Sequence, residues 1–212
     1  VVGDGFNFWV KIKARVNLDK TEEMANRIKV KDKSFVEDYK KIQEAYDKSQ
    51  KEIEELKKQL AGAKSEKERK QVEAKIINEE RLFQANEWFE KGKNYYINKE
   101  YDKAIEAYTS GIALNPGDAT AYIVRGWLIS KKGQHDRAIE DFNKAIALNP
   151  DDATAYTAYF VRGLVYVGKG QDNRAIEDFN KAIALDPNLA QAYYNRGLAY
   201  HNKGEYDRAI EN

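Results

Sequence analysis

From Ala85 onward, small and aromatic residues recur with a period of 34 residues. Aligning Ala85–Asp118 with Ala119–Asp152 places Ala104, Tyr108, Gly111 and Pro116 over Ala138, Phe142, Ala145 and Pro150, and Gly92 over Gly126. A third copy carries Gly163, Ala175, Phe179, Ala182 and Pro187, and a fourth, starting at Ala190, carries Gly197, Tyr200 and Ala209. Helix pairs repeating at such a period are the mark of a stacked solenoid, in which no repeat buries its apolar face alone. Asn-Pro or Asp-Pro closes each second helix, because proline cannot continue one. Asp118 and Asp152 are candidate N-caps for the next first helix. Lys131-Lys132-Gly133-Gln134 and Gly168-Lys169-Gly170-Gln171 read as short turns within a repeat. The third repeat is 37 residues long and opens with an extra Thr-Ala-Tyr. Three residues are nearly one helical turn, so the insertion is predicted to lengthen the first helix at its N-terminus while Gly163 keeps its packing slot.

The pattern before Ala85 is different. Phe6, Phe8, Val10, Ile12, Ala14 and Val16 alternate with Asn7, Trp9, Lys11, Lys13 and Arg15, the two-residue period of a half-buried strand. A strand ribbon is marginal alone, so the expectation is that of a sheet completed by a missing N-terminal part. Asp19 with Glu22 predicts a short helix near Lys20–Ile28. Ser34 with Glu37 is a second capping box, followed by the stripe Phe35, Tyr39, Ile42, Tyr46, Ser49, Ile53, Leu56 and Leu60. The stripe would span roughly 42 Å. It breaks at Ala61-Gly62-Ala63-Lys64, and Ser65 with Glu68 caps a new helix whose stripe is Val72, Ile76 and Phe83. A turn at Gly62 makes this an antiparallel hairpin, and its second arm is predicted to run on into the first solenoid helix. The expected organisation is mainly α: a strand and short helix over 1–33, the remnant of a larger domain; a charged helical hairpin or coiled-coil arm over 34–84; and a solenoid over 85–212, with repeats 85–118, 119–152, 153–189 and a truncated 190–212.

The spacing resembles the tetratricopeptide repeat, whose pattern is Trp-x2-Leu-Gly-x2-Tyr, Ala-x3-Phe, a small residue and Pro. Repeat one offers Trp88, Gly92, Tyr95, Ala104, Tyr108, Gly111 and Pro116; repeat two offers Tyr122, Gly126, Ile129, Ala138, Phe142, Ala145 and Pro150. The family leucine is replaced by Lys91, Arg125, Arg162 and Arg196. The resemblance implies antiparallel helix pairs, a concave groove, binding of protein segments and no chemistry. The strand, charged arm and repeats together look like a class of bacterial envelope proteins, which implies a periplasmic or cell-envelope setting, with the cytoplasm as alternative.

Composition adds exclusions. The 212 residues are 42% hydrophobic and 33% charged, with a net charge of +1, which leaves no electrostatic footprint for nucleic acid. The absence of cysteine excludes thiol catalysis, disulfides and zinc–cysteine sites. No apolar run approaches the ~18 residues of a membrane span. The chain opens Val-Val-Gly and closes midway along an expected helix, and reads as an excised fragment. His135 and His201, the two histidines, have no second ligand at metal spacing. No nucleophile–base constellation is present, so neither an enzyme nor a cofactor is expected.

Two sets of residues are singled out. Arg125 and Arg162 stand 16 residues before Asp141 and Asp178, whereas repeat one has Lys91 and Ala107 in those slots. Joint loss of acid and arginine points to a structural fork between the helices of one repeat; the alternative is arginines that reach a groove ligand. In a solenoid of the resembled kind, positions two, five, nine and twelve of each first helix face the groove. The candidate ligand-groove residues are Phe89, Lys93, Tyr96, Ile123, Trp127, Phe160, Leu164, Tyr194 and Leu198. Chaperone-binding relatives clamp a terminal carboxylate there with basic residues. Here the lining is aromatic and aliphatic with Lys93 alone basic, which suits an apolar helix or extended segment. The plainer alternative is contact with the neighbouring repeat. The rival function is a structural module that self-associates into homo-oligomers through the arm and solenoid ends.

Overall fold

The computed structural model describes the backbone of residues 33–150 and 153–211, and the side chains of residues 47–150 and 154–211. The expected strand, the helix near Lys20–Ile28 and the side chains of Phe35, Tyr39, Ile42 and Tyr46 lie outside the described residues. The chain divides into two compact units, Val1–Gln50 and Lys51–Asn212, and the second carries the whole solenoid.

Among the described residues all regular structure is helical: α1 Lys33–Gly62, α2 Glu66–Ile97, α3 Tyr101–Leu114, α4 Ala119–Lys131, α5 His135–Leu148, α6 Ala153–Gly168, α7 Asp172–Leu185, α8 Ala190–Asn202 and α9 Tyr206–Ile210. Helix α1 stops at Gly62, and α2 starts with a complete capping box. The Ser65 hydroxyl accepts from the Glu68 amide at 3.2 Å, and the Glu68 carboxylate accepts from the Ser65 amide at 3.2 Å. From there α2 continues unbroken for 32 residues, through the end of the arm and into the first repeat. Leu56 of α1 and Ile76 of α2 are both buried, and Lys57 pairs with Glu80 at 3.6 Å, so the two arms run antiparallel.

Each solenoid repeat is a pair, α2–α3, α4–α5, α6–α7 and α8–α9, stacked on the next through α3–α4, α5–α6 and α7–α8. Non-consecutive helices come close at α4–α6 and α6–α8, both pairs of first helices. Helices on the inside of a curved stack approach more closely than those outside, which puts the first helices on the concave wall. Pairing within a repeat depends on a missing side chain. A Cβ on Gly126 would stand 2.8 Å from the Phe142 ring and 3.1 Å from the Ala138 carbonyl oxygen; one on Gly163 would stand 2.6 Å from Phe179. Phe142 and Phe179 are fully buried. Ile129, Ala138, Phe142 and Val165 form one cluster and Ala175, Ile176, Phe179 and Ala199 the next, so each of these clusters takes residues from two repeats.

The termini follow the chemistry of their residues. Asp118 caps α4 by accepting from the Ala121 amide at 2.9 Å. Helices α3, α5 and α7 end at Leu114, Leu148 and Leu185, each followed by Asn or Asp and then Pro. The turns inside repeats close in Schellman fashion: Gln134 N–H donates to Ile129 O at 3.2 Å and Gly133 N–H to Ser130 O at 2.8 Å. This needs a left-handed residue, supplied by Gly133, Gly170 and Gly204, and in repeat one by Lys99 at φ 61°. The insertion in repeat three lengthens the first helix: α6 has 16 residues against 13 in α4 and α8, and the addition lies at its N-terminal end, where Ala155 is buried.

Candidate protein-binding groove

On α4, Tyr122, Gly126 and Ile129 face α5. Ile123 and Trp127, one turn apart, lie on a face rotated by roughly a quarter turn or more from it. Ile123 is buried in the cluster that holds Tyr108, Tyr122 and Leu128. Trp127 is half-buried, and the Lys131 ammonium sits 4.5 Å above its ring. On α6, Phe160 and Leu164 are half-buried against the cluster of Ala175, Phe179 and Ala199, with Phe160 6.0 Å from the Phe179 ring. On α8 the same register positions open outward: Tyr194 is 71% and Leu198 40% exposed.

Repeat one departs from this. Phe89 is turned across to α3, where it stacks on Tyr108 at 5.8 Å and fills the space that a side chain on Gly111 would need. Tyr96 is 43% exposed and lies 6.2 Å from Tyr101. Lys93 is half-buried beside Glu90, whose carboxyl burial pushes up and Lys93 pulls back. The nine positions therefore form a graded surface: core-engaged at Phe89 and Ile123, half-buried at Trp127, Phe160 and Leu164, and open at Tyr194 and Leu198.

The arginines point the other way. Arg125 grips Asp141 with two bonds, Nε to Oδ2 at 2.8 Å and Nη2 to Oδ1 at 2.6 Å; Arg162 grips Asp178 with the same pair of distances. Both aspartates are buried. The hydrogen bond to Asp141 holds the Arg125 guanidinium above its ordinary range against the cost of burial. Burial pushes the Asp178 carboxyl up, and the Arg162 fork opposes it. Each guanidinium also reaches back one repeat: Arg125 donates to Thr109 Oγ1 at 3.3 Å, Arg162 to Asn143 and Arg196 to Asn180 at 2.6 Å. Tyr122, Tyr159 and Tyr193 lie within 5.5 Å of these cations. Lys132 with Asp102, and Lys169 with Asp136, tie consecutive repeats a second time.

Sequence reasoning missed the back-bonds to Thr109, Asn143 and Asn180, although the same register slot carries a hydroxyl or amide each time. It also missed Lys131, which a four-residue step from Trp127 brings onto the ring. The described residues contain no cluster of His, Cys, Asp and Glu able to hold a metal ion, and no helix long and apolar enough to cross a membrane.

This geometry defines a helical-repeat interaction scaffold. Residues 89–153 match the tetratricopeptide repeat family and residues 163–204 the family described as TPR repeat. Among solved structures, MamA is 32% identical over 60% of this chain and 72% of its own, with a TM-score of 0.57. The first TPR of Spaghetti (RPAP3), bound to the HSP90 peptide SRMEEVD, is 26% identical over 57% of this chain and 94% of its own, TM-score 0.54. YrrB, at 22% identity over 76% of each chain and TM-score 0.53, shares the fold. No curated protein sequence matches the chain. The chain belongs to the tetratricopeptide repeat family, a family of non-catalytic protein-interaction modules.

Proposed function

We propose that the chain binds an apolar peptide segment or helix along the wall formed by α4, α6 and α8. The carrying observation is the exposure of Tyr194 and Leu198 at register positions continuous with Phe160, Leu164 and Trp127. Exposed aromatic and aliphatic side chains grouped on a concave surface commonly mark a contact site. The peptide complex of the Spaghetti TPR, a 26% identical neighbour, supports a peptide as the class of ligand. Trp127 and Phe160 are the central anchors, and anchors of this kind lose about 2 kcal/mol or more on truncation. The test starts from a displayed library of random 16-residue peptides panned on the chain. A selected peptide titrated by calorimetry should bind at least tenfold more weakly to the Trp127→Ala, Phe160→Ala double variant. Unchanged affinity would move the site off the groove.

One observation favours self-association as a second reading. Ile210 is 83% exposed, while its register equivalents Ile176 and Ile139 are buried and half-buried against the following first helix. The arm is the weaker surface for pairing, because Leu56 and Ile76 are already buried in the hairpin. Light scattering across a concentration series, with Ile210→Glu as control, separates the two: a dimer that this substitution dissolves favours the second reading.

A further inference from the structure

We infer that the segment taken by the groove is acidic as well as apolar, with a carboxylate side chain set beside an apolar anchor; this rests on the groove reading above. The concave and convex helices differ completely in acid content. Helices α4, α6 and α8 contain no aspartate or glutamate. The second helices of the same stack carry them in every turn: Asp102 and Glu106 on α3, Glu140 and Asp141 on α5, Glu177 and Asp178 on α7. Since Asp141 and Asp178 are buried in their forks, the acids that face solvent on the second helices belong to the outer side.

A carboxylate brought along the inner wall of repeats two to four meets no like charge from those helices. It does meet a cation. Lys131 is exposed, and its ammonium rests over Trp127, the residue proposed as anchor. A cation over an exposed ring gains only about 0.5–1 kcal/mol, so it can turn to a carboxylate without large loss. One repeat earlier Lys93 occupies the register slot of Trp127, adding a second positive position on the same side. The acid on that helix nearest to the wall, Glu90, is half-buried and already answered by Lys93. An apolar side chain on Trp127 with a carboxylate on Lys131 therefore satisfies both halves of the site. A basic segment of equal apolarity would place its charge against Lys131 and Lys93.

The test uses the pool of peptides selected on the full chain. Selected sequences should combine Leu, Ile, Phe or Trp with Asp or Glu and be net negative, and their affinity should fall with added salt. Lys131→Glu should weaken a selected peptide about tenfold, while Lys131→Met, which keeps the apolar stem, should weaken it less. A net-positive or neutral pool, or affinity indifferent to Lys131→Glu, overturns the acidic inference. If Trp127→Ala, Phe160→Ala still abolishes binding in that case, the groove reading survives alone. If neither set of variants matters, both fall. Circular dichroism and melting of Lys131→Glu should match the parent, since the side chain is exposed.

Discussion

Repeat one and repeats two and three share a backbone and differ in how they hold it. Repeats two and three lock their helices with a buried Arg–Asp fork, a phenylalanine ring on glycine and a glycine in the left-handed turn. Repeat one has Lys91 and buried Ala107 where the fork would be, a tyrosine on Gly92, a second ring from Phe89 over Gly111, and Lys99 in the left-handed turn. The architecture therefore does not require the fork. Small residues in two slots and a closed turn suffice to pair the helices. The fork adds a reach to the preceding repeat, through Thr109 and Asn143, which repeat one does not need because its first helix continues from the arm.

The largest effect should come from breaking one side of a fork. Asp141→Ala leaves a mostly buried guanidinium without its acid and should cost about 3 kcal/mol in urea unfolding. Transplanting the repeat-one pair, Arg125→Lys with Asp141→Ala, should recover part of that loss. If the double variant is no better than the single, the two repeats are not alternative solutions to one problem.

Next in size are the glycine slots. Gly126→Leu should destabilise by about 1–3 kcal/mol through overpacking, and Gly163→Leu similarly. Gly126→Ala should cost more than Gly92→Ala, because a Cβ at Gly126 meets a backbone carbonyl as well as a ring, whereas one at Gly92 meets only the Tyr108 ring. Equal melting midpoints for the two alanine variants would contradict this. The smallest effect has opposite sign in the two repeats: Lys99→Gly should stabilise and Gly133→Ala destabilise, each by about 1 kcal/mol, since both positions are left-handed. Any loss of stability in Lys99→Gly would count against the reading of that turn.

The period, the caps and the glycine slots were legible in the sequence because each depends on local chemistry repeated at a fixed interval. The Thr-Ala-Tyr insertion was legible as helix because three residues preserve the rotational phase of Gly163. The arm was legible from Ser65 onward, where a capping box and an apolar stripe agree. Burial along the groove face was not legible. Phe160 and Tyr194 are equivalent in register, yet one packs on Phe179 and the other is open, because stacking from a neighbouring repeat decides it. Phe89 shows the same limit: only Gly111 on the opposite helix, 22 residues on, draws its ring inward.

The unbroken α2 has a consequence for how the molecule opens. One rod of 32 residues buries Ile76 in the arm and Ala85 and Gly92 in the first repeat. No hinge residue separates the two, so neither can lose its helix without shortening the scaffold of the other. Amide exchange across Glu66–Ile97 should then report one cooperative opening shared by hairpin and repeat, and a load applied to the arm arrives at the head of the groove as a tilt of its first helix.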